Sequence, residues 1–257
     1  MPQRSKKSDN IGYGASGQAI LDAVGKVLAT QGPSAVMVGE ICKEIGIAPS
    51  LVNYHFGGRE SLLAAAVVHE FESLVAEMNR ITYRTTTSAE DQLRNRIRYR
   101  LEWTAAHPGI DSMINYSHII DPVGTVMQGE LDTRIGQCTI SDMVGLHTSV
   151  YGMYTGQVLD RPVATDESDQ YPELFEITGY VALSALGLAT WMTGHHPANR
   201  SVADEQPETV THLADTFVER LIRNVRHELD ELAAGKAHGR STSCRVTPPV
   251  GGPVRPD

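Results

Sequence analysis

At 257 residues the chain can hold one large domain or two small ones, and 41% hydrophobic with 21% charged residues is the composition of a soluble globular protein. Three widely spaced cysteines without a CxxC pair exclude a disulfide framework and a zinc site, and fit a reducing cytoplasm. A net charge of −9 excludes indiscriminate nucleic-acid binding, yet residues 1–60 carry six bases against five acids, so a weakly positive start precedes a remainder of net −10.

The first residues, MPQRSKKSDN, lack the apolar stretch of a secretory leader. Residues 1–14 read as a disordered arm, with Arg4, Lys6 and Lys7 expected in a solvated tail rather than in a DNA groove. GYGASG (12–17) satisfies GxGxxG, but a dinucleotide fingerprint needs a buried strand before it and a βαβ unit around it. The lead-in is polar, so the glycines are expected to form a flexible entry to a helix.

Ile20, Val24, Val27 and Leu28 recur at helical spacing, and Gly32 with Pro33 closes that helix. A short helix fits Val38 to Ile45, with Ile41, Cys42 and Ile45 on one face and Gly46 as its breaker. The next helix begins at Pro49, a residue suited to the first helical position. On a wheel of about 100° per residue, Val52 and Phe56 point inward. Ser50, Asn53 and Tyr54 point outward, and His55 stands at the border. Two short helices around a glycine turn have the spacing of a helix-turn-helix. Asparagine can bond an adenine edge twice, and hydroxyls can meet bases or phosphates. Arg59 opens a fourth helix, where free N–H groups favour an anion, so it is expected to clamp phosphate, with Lys43 nearby.

The fourth helix carries Leu62, Leu63, Ala66, Val67, Glu70, Phe71, Leu74 and Met78. Ser88 then caps a helix striped by Leu93, Ile97, Leu101 and Ala105. Residues 108–121 suggest another helix, whereas 123–160 mix apolar residues with many glycines and are hard to read. Residues 160–172 read as a loop. Two long helices follow. The first presents Leu174, Ile177, Val181, Ser184, Leu188 and Trp191, with Ala182, Ala185 and Ala189 beside them; its apolar run Tyr180 to Met192 is too short for a bilayer and reads as a buried helix. The second presents Val210, Leu213, Phe217, Leu221, Val225, Leu229 and Leu232. The tail from 235 is rich in Gly, Pro and Ser and is expected to be disordered. The fold class is all-α.

The segment PSAVMVGEICKEIGIAPSLVNYHFGGRESLL resembles the DNA-binding segment of the tetracycline-repressor (TetR) family. Ile41 and Cys42 stand at the family's isoleucine–alanine pair, Gly46 at its turn, His55–Phe56 at its histidine–phenylalanine, and Arg59, Glu60, Leu62 and Leu63 at the start of its fourth helix. Met37 replaces a threonine that caps the second helix in the family, and Asn53 replaces a tyrosine. The resemblance implies a helix-turn-helix head (15–60) and a helical ligand-binding and dimerisation bundle (61–234), followed by the tail (235–257). DNA-binding residues are then Lys43, Ser50, Asn53, Tyr54, His55 and Arg59.

The function expected is a cytoplasmic, sequence-specific transcriptional regulator. It would be a homodimer through residues 172–234 that represses at a palindromic double-stranded operator until a small-molecule effector binds. Trp103, Met113, Tyr116, His147 and Tyr151 are candidates for the effector pocket, as large or polar groups amid apolar helices. No membrane partner, cofactor or metal is expected. His195 and His196 diverge on a helix, and neither HExxH nor GxSxG is present. The rival readings are a helical protein-interaction module that never touches DNA and, further off, a nucleotide-dependent enzyme.

Overall fold

The computed structural model describes residues 14–110, 128–193 and 207–235. Arg4, Lys6, Lys7, Met113, Tyr116, His195, His196 and the tail beyond 235 lie outside the described residues, as does most of the expected 108–121 helix. Among the described residues every regular element is helical: α1 (Gly14–Gln31), a 3-10 turn (Pro33–Ala35), α2 (Val38–Glu44), α3 (Ser50–Phe56), α4 (Arg59–Arg84), α5 (Ala89–Ala106), α6 (Gln128–Thr155), α7 (Thr165–Ser168), α8 (Glu173–Thr193) and α9 (Pro207–Ala233).

The head closes around α1, whose Ile20, Leu21, Val24 and Leu28 are buried against Ile41 and Cys42 of α2, Val52 and Phe56 of α3, and Leu62, Leu63, Ala66 and Val67 of α4. Gly32, at φ 79°, ends α1 in a backbone region that side chains rarely adopt. The same apolar cluster continues along α4 through Phe71, Leu74, Val75 and Met78 to Trp103, Ile110 and Cys138. Head and adjoining body therefore share one core. Gly109 also seats on the end of α1, where a Cβ would come 2.0 Å from the Leu28 carbonyl oxygen. A second cluster joins α5, α6, α8 and α9 through Leu93, Ile97, Leu101, Val150, Val181, Ala185, Val218, Leu221 and Val225.

A buried cation ties α4, α5 and α6 together. Arg96, 1% exposed, donates to Asn79 Oδ1 (3.0 Å) and Thr82 Oγ1 (2.9 Å) on α4 and to Asp142 Oδ1 (2.6 Å) and the Asp142 carbonyl (3.1 Å) on α6. A buried charge is tolerable only when paired and hydrogen-bonded in this way. Gly145 leaves the room: a Cβ there would stand 2.5 Å from Arg96 Nη1. Gly152 likewise lies against the Gln157 carbonyl and Ala89. Gly145 and Gly152, two of the glycines that obscured 123–160, thus sit inside one long helix at places where neighbouring groups press on its backbone.

Several expected faces shift. Thr104 is buried where Ala105 was expected, and Ala105 is exposed. The 160–172 segment contains the single turn of α7, whose start is held by Glu167 accepting from the Ala164 N–H (3.3 Å). In α8 the inward line is Leu174, Thr178, Val181, Ala185 and Ala189, while Leu183 is 71% and Trp191 50% exposed. Small residues face the core because α8 packs closely, and the large ones turn outward. By length and composition Glu173–Met192 could cross a membrane, and only 28% of that window is buried. In α9 the line rotates to Ala214, Val218, Leu221, Ile222, Val225 and Leu229, leaving Leu213 exposed and Phe217 half-buried.

Ser88 caps α5 as expected, accepting from the Asp91 N–H at 3.0 Å. Arg94 on α5 bridges Glu90 (2.6 Å), Asp91 (2.6 Å) and Glu219 of α9 (2.9 Å), and Arg226 of α9 also reaches Glu90. Burial alone would raise the Glu90 carboxyl, but hydrogen bonds from Arg226 and Arg94 outweigh it and hold it below the usual range. The Thr87 and Ser88 hydroxyls, more than Arg94, do the same for Asp91. The folded chain therefore binds fewer protons here than the unfolded chain. Their stabilisation is fully present above the ordinary carboxylate range and is lost as pH falls through the lowered folded values. Denaturant unfolding across an acid pH series should show a shallower acid loss for Glu90→Gln/Asp91→Asn than for the unaltered chain.

Candidate nucleic-acid interface

The turn between α2 and α3 follows from Gly46 at φ 71°. The Ile47 N–H bonds the Cys42 carbonyl (2.8 Å) and the Gly46 N–H the Lys43 carbonyl (3.4 Å), so the last carbonyls of α2 are satisfied in a Schellman arrangement. Cys42 is buried at the contact, small enough for close approach, and burial pushes its thiol pKa up. Pro49, at φ −57° and ψ −24°, caps α3 rather than standing at its first position.

Within α3, Val52 and Phe56 are buried, whereas Ser50, Asn53 and Tyr54 are exposed, Tyr54 by 80%. Lys43 is exposed on α2. His55 is half-buried at the border, its Nε2 2.9 Å from Ser16 Oγ of α1. Ser16 was not singled out in the sequence, because a serine in the first turn of a helix gives no sign of a partner 39 positions away. Met37 stands at the start of α2 without a side-chain cap bond and is 56% exposed. An open depression between the starts of α2 and α3 is lined by Met37, Gly39, Pro49, Asn53 and Arg59.

Arg59 has partners within the chain that the sequence did not suggest. Its Nη2 donates to the Pro33 carbonyl (2.7 Å) and its Nε to the Val36 carbonyl (3.4 Å). The guanidinium therefore fastens the turn before α2 to the start of α4, besides standing on the surface at a helix N-terminus.

The expected effector residues are not brought together. Trp103 is buried in the cluster continuous with the head and stacks on His107, with centroids 4.4 Å apart. Tyr151 belongs to the second cluster, and His147, one turn before it on α6, is buried. His147 Nδ1 meets Thr178 Oγ1 (3.1 Å), Nε2 meets Ser168 Oγ (2.7 Å), and the ring stacks on Phe175 at 4.2 Å. Burial lowers its pKa, so the neutral ring is favoured. Tyr151 lies edge-on to Tyr171. Among the described residues no group of three or more His, Cys, Asp or Glu side chains could hold a metal.

Residues 20–66 match the family of bacterial regulatory proteins called tetR. Residues 20–66 are thus a tetR-family N-terminal domain. The transcriptional regulator BetI of Brucella anthropi is 31% identical over 71 residues, covering 28% of this chain and 37% of BetI. BetI of Rhizobium meliloti is 38% identical over 50 residues, 20% of this chain and 25% of that protein. The chain thus matches only 37% and 25% of the length of these two curated relatives. Two solved structures share the fold over about four fifths of this chain. FadR of Bacillus subtilis, in complex with stearoyl-CoA, has a TM-score of 0.53 at 14% identity, with 80% of this chain and 97% of FadR covered. FadR of Bacillus halodurans gives 0.55 at 16% identity, with 81% and 95% covered. These likenesses show the fold alone: a helix-turn-helix head on a helical body.

Two carbonyl bonds from Arg59 imply that its loss weakens the head even without DNA. Arg59→Ala should lower unfolding stability by about 1 kcal/mol. Arg59→Lys, which keeps the charge but not the two-pronged donor geometry, should lose most of the same amount in denaturant unfolding.

Proposed function

We propose that this protein is a homodimeric, ligand-responsive transcriptional regulator, acting as a repressor at a palindromic operator. The observation that carries this reading is the outward face of α3, where Ser50, Asn53 and Tyr54 are exposed while Val52 and Phe56 anchor the helix. Laid in a major groove, Asn53 reads an adenine edge, and Ser50 and Tyr54 reach bases or the adjoining sugar–phosphate backbone. His55, Lys43 and Arg59 meet phosphate around them. A two-fold dimer places two α3 helices in successive major grooves about 34–36 Å apart, or a multiple of that. The protein acts in the cytoplasm, on DNA, without a catalytic step.

The dimer surface assigned here is the 172–234 segment. Phe175, Leu183, Leu186 and Trp191 form an exposed apolar side of α8, which a second copy would cover in an isologous contact. Such a contact also accounts for a helix of membrane-like composition in a protein that works on DNA. The effector is a small molecule received in the body. His147 and Tyr151, buried one turn apart on α6, are the described residues assigned to it; Trp103, in the cluster continuous with the head, is placed to feel changes near the head. Effector binding favours the arrangement in which the two heads no longer match the groove spacing, and operator affinity falls by the same coupling factor that DNA imposes on effector affinity.

Binding-site selection from random duplexes tests the reading of bases. Asn53→Ala should relax choice at particular base pairs, each worth about 1–3 kcal/mol, whereas Arg59→Ala should weaken binding to all sequences and lower the salt slope by about 1. Sequence-blind loss for both would remove Asn53 from the reading face. For the dimer, Leu183→Asp should shift sedimentation toward monomer while retaining helical content; an unchanged dimer would place the interface elsewhere.

A further inference from the structure

We infer that the depression between the starts of α2 and α3 is a slot for a thymine methyl group, which makes Met37 and Gly39 determinants of operator sequence beside Asn53. This rests on the reading of the chain as a DNA-binding regulator, and it extends base reading from α3 to the start of α2.

The first argument is position. Asn53 lines the depression and also stands on the exposed face of α3. The slot is therefore continuous with the face assigned to the major groove. Its other walls are Met37, Val38 and Gly39 at the start of α2, with Pro49 and Val52 at the start of α3. Val52 is held in the core of the head, which fixes the α3 wall, while Met37, Gly39 and Pro49 are exposed.

The second argument is chemistry. Apart from Asn53, the side chains of these walls are apolar. Met37 makes no side-chain cap bond and is 56% exposed, so a flexible apolar side chain lies at the surface where a polar one would serve α2 better. Gly39 keeps the floor open: nothing stands within 4 Å of the place a Cβ would take. The rim does not suit phosphate. Glu40 lines the same depression and repels an anion, and Arg59 there donates from Nη2 and Nε to the Pro33 and Val36 carbonyls. Among the groups that base pairs present in the major groove, the thymine C5-methyl is the apolar one. An apolar recess beside a base-reading amide therefore fits a thymine next to the adenine that Asn53 reads.

The test begins with a duplex that the unaltered chain selects from a random pool. Each thymine of the half-site is replaced in turn by deoxyuridine, in both half-sites together. That removes the methyl and keeps every hydrogen-bonding group. Fluorescence anisotropy compares the unaltered chain with Met37→Thr and Gly39→Leu. Met37→Thr adds a capping hydroxyl to α2, and Gly39→Leu enters open space, so helical content by circular dichroism should be retained in both. At one thymine position the replacement should weaken the unaltered chain about fourfold per half-site, compounded over two, and should weaken either variant by less than about twofold. A site in which no thymine replacement costs affinity overturns the inference. So does an equal cost in all three proteins, which would assign the methyl to another side chain. Failure of the unaltered chain to select any duplex would instead defeat the regulator reading and the slot with it.

Discussion

The interface depends on the anchoring of a helix too short to stand alone. Seven residues of α3 cannot hold a helix in water by backbone bonding. Val52 and Phe56, buried against α1 and α4, hold it by two side chains a turn apart, and those two fix its rotation. Once they are inside, Ser50, Asn53 and Tyr54 have nowhere to go but out. The Gly46 turn sets the crossing with α2, and the Ser16–His55 contact pins the border of the exposed face. A change that let α3 rotate would exchange the reading residues for the core, whatever their chemistry.

The head is not a separate bead on a string. Its core runs on along α4 to Trp103, Ile110 and Cys138, and Gly109 seats directly on the end of α1. Farther along α4, Arg96 holds Asn79 and Thr82 while gripping Asp142 of α6. Asn79 also bonds Ser141 (3.0 Å), and Arg134 of α6 pairs with Glu72 of α4 (2.7 Å). α4 is therefore held at many points along its length by the body, so a rearrangement among α5 and α6 is felt at the head through packed contacts rather than through a loose hinge. A buried polar tie of this kind has a defined geometry, which suits the proposed switching of α4 between two positions.

The head was largely legible in the sequence because its determinants are local. Apolar spacing in α1, a glycine at a left-handed turn and the inward pair Val52–Phe56 are all set within a few residues of one another. The body was legible as helices but not as faces. In α8 the expected line ran through Trp191, whereas the core took the alanine side; a helix that is apolar nearly all round gives no sequence sign of which side has the nearer neighbour. Gly145 and Gly152 of α6 made 123–160 hard to read because groups that press on them, the Arg96 guanidinium and the Ala89 side chain, belong to distant segments. Arg96 itself was passed over for the same reason: a charged residue between Leu93 and Ile97 reads as surface until its partners on α4 and α6 are known. The structural bonds of Arg59 were not legible, since the carbonyls it holds come from a turn 23 to 26 residues earlier.

Side-chain oxidation by hydroxyl radicals, read by mass spectrometry with and without selected duplex, bears most directly on the orientation of α3. Tyr54 should be strongly oxidised in the free chain and shielded when DNA is added, while Trp191 keeps the same reactivity in both samples. Tyr54 equally oxidised in both samples under saturating DNA, or protection appearing in the body instead, would contradict the account.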